Sequence, residues 1–283
     1  MRLVPSGDGV PVAVHELGGA GPDLLIVHGT GFCAGMMAPL AAELASSFRC
    51  AGIDLRGHGA SPVVPGVGYH WHDLAGDVLA AVDALGMAPA YAVGHSSGGA
   101  ALLIAASRDP SRFQALWCFE PIVWPDPVAL RDRAEGLAAA ASRRRAVFAS
   151  REEAATNFAS KPPFSGFDPR VLAAYLDCGF EERADGSVEL RCPPEAEAEM
   201  YRMGVTHDGF SGLPRVACPV TVARGARSEA LGPEVVASQV AALARGRAID
   251  LAGLDHFGPL EDPVRVAAAV LEAFGSRGGE GRR

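Results

Sequence analysis

The sequence predicts an α/β fold with a doubly wound, mostly parallel sheet and one inserted helical cap. Short apolar runs, typical of buried strands, alternate with longer helical patterns along most of the 283 residues. Continuous apolar strands that alternate with helices indicate parallel strands covered on both faces. The alternation breaks once, between about residues 125 and 213. With 49% hydrophobic and 20% charged residues, the chain has enough apolar side chains for one large core.

The elements of the sheet domain follow in order from local patterns. The first two strands, over residues 10–17 and 23–27, are separated by a Gly-rich turn. Further strands are predicted over residues 49–53, 90–93, 115–119, 220–223 and 248–251. Helices are predicted over residues 37–47, 72–85, 98–108, 233–244 and 263–274. The last helix has Asp262 as a candidate N-cap and Pro263 at its first position, both typical of a helix start.

The interruption is predicted to be a helical cap inserted into the sheet domain. Its helical patterns cover residues 128–145, 152–158, 169–176 and 194–203. A structureless loop of this length would be unusual inside a compact domain. We therefore expect a core of residues 1–125 and 213–275, a cap of residues 126–212 and a disordered tail of residues 276–283. The open alternative is that these helices join the layers that cover the sheet.

Composition excludes several classes of partner. The 33 acidic and 25 basic side chains give a net charge of −8, which argues against nucleic acid or an anionic membrane. No apolar run reaches the ~18 residues that span a bilayer, and polar residues occupy the place of a signal peptide's apolar segment. We expect a cytoplasmic protein that acts on a small molecule, and the sequence leaves open whether it forms a homodimer. The six cysteines are widely spaced and are expected to be reduced thiols.

The segment Gly94-His95-Ser96-Ser97-Gly98 carries the sharpest chemical signal. This G-x-S-x-G pattern lies directly after a predicted strand and before a predicted helix. In that context it is typical of a strained turn that exposes the serine hydroxyl, with glycines where side chains would collide. The sequence therefore predicts Ser96 as a nucleophile.

A serine hydroxyl needs a base that takes its proton, and eight histidines compete for that role. His256 lies in a loop after the last predicted strand, at the carboxyl edge where doubly wound sheets place their sites. The other seven lie in early elements, in Gly-rich loops, inside the G-x-S-x-G turn or in the predicted cap. His256 is the predicted general base.

The base in turn needs a carboxylate that orients it, and two candidates remain open. Glu120 follows the strand over residues 115–119, and Glu229 follows the strand over residues 220–223. A charge at the end of an apolar strand is costly without a partner, which favours Glu120. Glu229 lies among arginines in a loop, where a carboxylate is solvated and its presence does not indicate a buried partner.

Two backbone N–H groups are expected to form an oxyanion hole. One is that of Ser97, which follows the nucleophile at the start of a helix. The other is assigned to Thr30 in the loop His28-Gly29-Thr30-Gly31, with Gly31 as the neighbouring alternative. A donor of this kind typically contributes about 10²–10³ to kcat.

Four motifs together resemble an α/β-hydrolase-fold serine hydrolase of the esterase-like kind. They are HGTG (28–31), DLRGHGAS (54–61), GHSSGG (94–99) and HFGPLEDP (256–263). The resemblance implies an eight-stranded sheet with a cap inserted after the sixth strand, and it gives Asp54, Arg56 and His58 a structural role. The family most often carries Asp after the seventh strand, where this chain reads Arg-Ser-Glu. Some members use Glu after the sixth strand, and CFEPIVWP (118–125) is similar to that arrangement.

The expected reaction is hydrolysis of a carboxylic ester or lactone of an apolar small molecule through an acyl-enzyme on Ser96. Family members that cleave haloalkanes or epoxides carry Asp at the position of Ser96, so the resemblance disfavours those reactions. Phe32, Met36 and Trp124 are expected to contact the substrate. Hydrolysis of a carbon–carbon bond or another acyl transfer would use the same triad, and a ligand receptor of the same fold is a further alternative. No cofactor or metal is expected, since no nucleotide-binding motif is present and His70-Trp71-His72-Asp73 does not converge on one point.

Overall fold

The computed structural model describes residues 1–275, so the predicted disordered tail lies outside the described residues. Within them the chain forms eleven strands and eleven α-helices. The strands are β1 Arg2–Pro5, β2 Pro11–Gly18, β3 Asp23–Val27, β4 Arg49–Asp54, β5 Ala90–His95, β6 Phe113–Phe119, β7 Val147–Phe148, β8 Phe180–Glu182, β9 Val188–Leu190, β10 Val220–Gly225 and β11 Gly246–Leu251. The helices are α1 Ala38–Leu44, α2 Trp71–Leu85, α3 Ser97–Arg108, α4 Arg131–Ser142, α5 Arg151–Ala159, α6 Pro169–Cys178, α7 Pro194–Met203, α8 Gly209–Gly212, α9 Pro233–Ala242, α10 Gly258–Glu261 and α11 Pro263–Gly275. None of these helices is both long and apolar enough to cross a membrane.

Eight strands form the central sheet in the order β1-β2-β4-β3-β5-β6-β10-β11. Strand β2 pairs antiparallel with β1 and β4, and the other pairs are parallel. This confirms the predicted doubly wound, mostly parallel sheet of eight strands. The local patterns missed β1, because only Val4 of its four residues is buried and no apolar run marks it.

Helices cover both faces of the sheet, as the apolar strands predict. On one face α2 and α3 pack against the sheet through Leu74, Val78 and the run Ala100–Ala106. On the other face α1 and α11 pack together through Leu40, Leu44, Val266 and Val270. The strands between these layers are buried on both sides, which explains why they lack alternating polar residues.

The segment between β6 and β10 contains α4 to α8 and a small antiparallel sheet in the order β7-β9-β8. Helices lie in each of the four regions where the sequence predicts them. The small sheet was not predicted, because its strands have only two or three residues, too few for an alternating pattern to emerge.

The expectation that all six cysteines are reduced thiols is wrong for two of them. Cys33 and Cys178 form a disulfide across 145 residues of sequence. Cys33 follows the HGTGF segment and Cys178 ends α6, and only the fold brings the two together. The other four cysteines are buried thiols.

Candidate active site

The turn between β5 and α3 holds Ser96 in an unusual backbone conformation, with φ 54° and ψ −117°. A positive φ is rare for a residue with a side chain and is typical of functional sites that the surrounding structure constrains. The glycines of the motif allow close packing around it. A Cβ on Gly98 would lie 2.4 Å from the carbonyl oxygens of Val27 and His28. The G-x-S-x-G pattern is therefore required sterically at this corner.

Ser96, His256 and Glu120 lie in contact at the carboxyl edge of the sheet. The Nε2 atom of His256 is 3.2 Å from Oγ of Ser96, and its Nδ1 atom is 2.7 Å from Oε2 of Glu120. Because a carboxylate only accepts hydrogen bonds, Nδ1 carries the proton and Nε2 faces the serine hydroxyl as an acceptor. This arrangement is able to move a proton from the hydroxyl to the imidazole.

Of the two candidate acids, the structure brings Glu120 to the histidine and leaves Glu229 elsewhere. Glu120 is completely buried, and it too has a positive φ, of 45°. Its carboxylate also accepts hydrogen bonds from the Gly225 amide (2.9 Å) and the Ser228 hydroxyl (2.7 Å). Glu229 is exposed, and its backbone carbonyl accepts a hydrogen bond from Arg133.

Two residues that sequence reasoning missed brace this arrangement. Ser228 holds the carboxylate of Glu120, and the signal that could have found it is a hydroxyl in the loop directly after β10. His95 donates from Nε2 to the backbone carbonyl of His256 (2.9 Å). Burial, together with the nearby His256 imidazole, lowers the pKa of His95 well below its ordinary value, so its ring is neutral at pH 7.

The loop that carries Thr30 lies beside the start of α3. The Thr30 hydroxyl donates to Oγ of Ser97 at 3.1 Å, and both residues are buried. The Gly31 amide donates to Nε2 of His58 at 3.0 Å. That contact engages the Gly31 amide, the alternative donor of the predicted oxyanion hole, and the role of the Thr30 amide stays a prediction.

The DLRGHG segment supports this loop through buried polar contacts. Nε2 of His28 accepts from the Leu55 amide at 3.1 Å, and Oδ1 of Asp54 accepts from the Ala34 amide at 2.6 Å. Arg56 makes a two-point ion pair with the buried Asp77. Burial lowers the pKa of His58, and it lowers that of His28 to about 4. These groups hold the loops and do not reach Ser96.

A cavity of about 290 Å³ opens beside Ser96 and His256. Its walls are mostly apolar and come from both the sheet domain and the inserted segment. They include Phe32, Trp71, Ile122, Trp124, Leu130, Leu137, Tyr201 and Phe257. Met36, which the sequence suggested as a substrate contact, instead packs in the core beneath the loop and does not line this cavity. Within residues 1–275 no group of three or more His, Cys, Asp or Glu side chains is arranged to hold a metal ion.

Comparison with known proteins identifies the family. A family model of the α/β-hydrolase fold matches residues 22–161. Lipase LipV of Mycobacterium tuberculosis is 30% identical over 277 residues, which cover 95% of this chain and 99% of that protein. The chain belongs to the α/β-hydrolase family.

Other relatives of this α/β-hydrolase carry names of different hydrolases. The 2-(acetamidomethylene)succinate hydrolase of Mesorhizobium japonicum is 26% identical over 84% of this chain and 83% of that protein. A crystal structure titled E-2-(acetamidomethylene)succinate hydrolase has a TM-score of 0.84 at 23% identity, over 97% of this chain and 98% of that one. The match to the pimeloyl-[acyl-carrier protein] methyl ester esterase of Chromobacterium violaceum is 40% identical but spans only 36% of that protein. The prediction of an enzyme of the α/β-hydrolase family is confirmed.

Proposed function

We propose that the protein is a serine hydrolase that cleaves a carboxylic ester or lactone of an apolar small molecule through an acyl-enzyme on Ser96. The observation that carries the proposal is the pair of contacts from His256, at 3.2 Å to Ser96 and 2.7 Å to Glu120, beside an apolar cavity. Relatives named lipase and methyl ester esterase support cleavage of an ester bond.

In the first half of the proposed reaction, Oγ of Ser96 attacks the carbonyl carbon while Nε2 of His256 takes the hydroxyl proton. The Glu120 carboxylate stabilises the imidazolium that forms. The backbone amides of Thr30 and Ser97 donate hydrogen bonds to the tetrahedral oxyanion. The intermediate collapses, the bond to the alcohol oxygen breaks, and the alcohol leaves with the proton from His256.

In the second half, His256 takes a proton from water, and the hydroxide formed attacks the acyl carbon. The second tetrahedral intermediate collapses and releases the carboxylic acid, and His256 returns the proton to Oγ of Ser96. Throughout, we propose that residues 126–212 act as a cap over a core of residues 1–125 and 213–275. Support for that division comes from Leu130, Leu137 and Tyr201 of the inserted segment, which complete the wall of the cavity.

The test is hydrolysis of p-nitrophenyl esters from acetate to dodecanoate by the wild type, Ser96→Ala and Ser107→Ala. Ser107 is a suitable control because it is a buried serine in α3, the helix that follows Ser96, and its hydroxyl donates to the Ile104 carbonyl, away from the cavity. Mass spectrometry of the quenched reaction locates the acyl group. We expect turnover in the wild type and in Ser107→Ala, loss of it in Ser96→Ala, and an acyl adduct on Ser96.

Turnover that persists in Ser96→Ala would show that another group is the nucleophile. If no ester is turned over, ester cleavage is wrong. A chromophoric dienoate then becomes the substrate to test, since cleavage of a carbon–carbon bond uses the same three residues.

A further inference from the structure

A second and larger cavity adjoins the one beside Ser96. This outer cavity, called the vestibule here, has a volume of about 640 Å³. Five residues line both spaces, so the two cavities lie side by side. They are Thr30, Phe32, Leu137, Tyr201 and Phe257.

The vestibule is lined by four cationic side chains. Arg143, Arg144 and Arg145 come from the end of α4 and the residues after it, and Lys161 comes from the turn after α5. The three arginines are consecutive in the chain. In the structure they converge with Lys161 on one space whose walls also contain Phe148, Phe158 and Phe164.

Two of these cations already have carboxylate partners. Arg144 pairs with the buried Glu197 and also donates to the Tyr175 hydroxyl, and Arg145 makes a two-point ion pair with Glu153.

Arg143 and Lys161 have no ion pair with a carboxylate among residues 1–275. The ammonium group of Lys161 donates to the neutral amide oxygen of Asn157. The vestibule therefore keeps an excess of positive charge in a chain whose net charge is −8.

Such an arrangement selects a particular kind of ligand. A concave site with cations of one sign and apolar walls concentrates the field and attracts anions from solution. Helix-end electrostatics would favour arginines at the end of α4, but that effect does not account for Lys161, which belongs to another element. The inner cavity, by contrast, has mostly apolar walls around Ser96 and one lining cation, Arg133, which donates to the Glu229 carbonyl.

We propose that the substrate is an amphipathic acid derivative, with an apolar part beside Ser96 and a carboxylate remote from the scissile bond that binds Arg143 and Lys161. This inference rests on the proposed serine hydrolase reaction. It makes the vestibule a specificity site and predicts preference for esters with a distant negative charge over neutral esters of the same length.

The test compares pairs of esters that differ only at the remote end. One pair is the p-nitrophenyl monoester of a dicarboxylic acid and the corresponding ester with a terminal primary amide, over a series of chain lengths. A second pair has the carboxylate or amide on the alcohol part. The quantity measured is the ratio of kcat/KM for the anionic ester to that for its neutral partner, in wild type and in the double variant R143Q/K161Q.

We expect a ratio above one at the best chain length, falling as salt is added because salt screens exposed charges. Arg143 and Lys161 are both exposed, so the double variant should lower the ratio about five- to tenfold, as expected for the loss of two exposed charge pairs. R131Q is the matched control, since Arg131 is an exposed arginine of α4 that lines neither cavity. It should leave the ratio unchanged.

A ratio at or below one for both kinds of ester, or a ratio that R143Q/K161Q does not lower, would overturn the proposal. These outcomes are distinct from failure of the proposed reaction. If only the specificity proposal fails, Ser96-dependent turnover of neutral esters persists. If the proposed reaction itself fails, no ester is cleaved in a Ser96-dependent way.

Discussion

Replacing Glu120 by Gln tests the acid of the proposed triad with almost no change in side-chain volume. The Glu120 carboxylate is completely buried and accepts three hydrogen bonds, from His256, Ser228 and the Gly225 amide. A Gln side chain has only one acceptor oxygen, and its amide nitrogen has to face at least one of these donors. If the nitrogen faces His256, the imidazole carries its proton on Nε2 and is unable to accept the proton of Ser96.

The expected loss of activity follows from that geometry. Removing the negative charge and favouring the wrong tautomer in triads of this kind lowers kcat about 10³- to 10⁴-fold. At about 1.4 kcal/mol per factor of ten, the transition state loses about 4 to 5.5 kcal/mol of stabilisation. The unpaired buried donor should also lower the free energy of unfolding by about 1 to 3 kcal/mol.

The assay measures kcat on the best p-nitrophenyl ester for wild type, Glu120→Gln and Glu229→Gln. Urea unfolding of each variant separates loss of activity from loss of fold. Glu229 is exposed, so Glu229→Gln should change kcat and stability little. A large loss in Glu229→Gln with near wild-type rates in Glu120→Gln would refute the assignment of the acid.

Two further predictions concern folding stability. Gly98→Ala should lower the free energy of unfolding by about 3 kcal/mol, because its Cβ would lie 2.4 Å from backbone oxygens of Val27 and His28. Gly136→Ala lies in α4 with no atom within 4 Å of the new Cβ and should raise the free energy of unfolding by about 0.5 to 1 kcal/mol. Urea unfolding in which both variants are less stable than wild type, or both more stable, would contradict this reasoning. Stability should also fall as the pH decreases from about 6.5 to about 4, because burial lowers the pKa of His28 and of His207 to about 4, so the unfolded chain binds more protons in that window. Urea unfolding across that range should show a shallower fall for His207→Gln than for wild type, and an equally steep fall would exclude His207 as a contributor.

The parts of the fold that the sequence predicts well are those with long, regular patterns. The bounds of β3 and α7 agree with the prediction to the residue, and α11 begins at Pro263 as its capping signal indicates. The parts it misses depend on contacts between distant segments. Strand β1 gains its order by pairing with β2, and the small sheet of β7, β8 and β9 has strands of two or three residues.

The same division holds at the candidate site. The order of motifs predicts that Ser96, His256 and a carboxylate meet at one edge of the sheet, and the structure has Ser96, His256 and Glu120 in contact there. Their catalytic roles stay predictions until the variants are measured. The Cys33–Cys178 disulfide and the buried position of Met36 had no local signal, because each is decided by how a loop packs against a distant helix or core layer.

Backbone hydrogen bonds that continue the pattern of the sheet stabilise the strained backbones of Ser96 and Glu120. Ser96 and Glu120, each one residue past the end of a strand, both have a positive φ that costs about 1 to 3 kcal/mol. The Ser96 amide donates to the Phe119 carbonyl at 2.9 Å, and the Glu120 amide donates to the Ala223 carbonyl at 2.8 Å. The parallel pairing of β5, β6 and β10 thus extends one step beyond the strands and fixes both backbones.

These hydrogen bonds come from the core of the domain and fix the two backbones, whereas Ser228 in the loop after β10 holds the Glu120 carboxylate. The inserted segment contributes Leu130, Leu137 and Tyr201 to the wall of the inner cavity and all four cations to the vestibule. We propose that the sheet domain sets the chemistry of bond cleavage and that the inserted segment contributes to the choice of substrate.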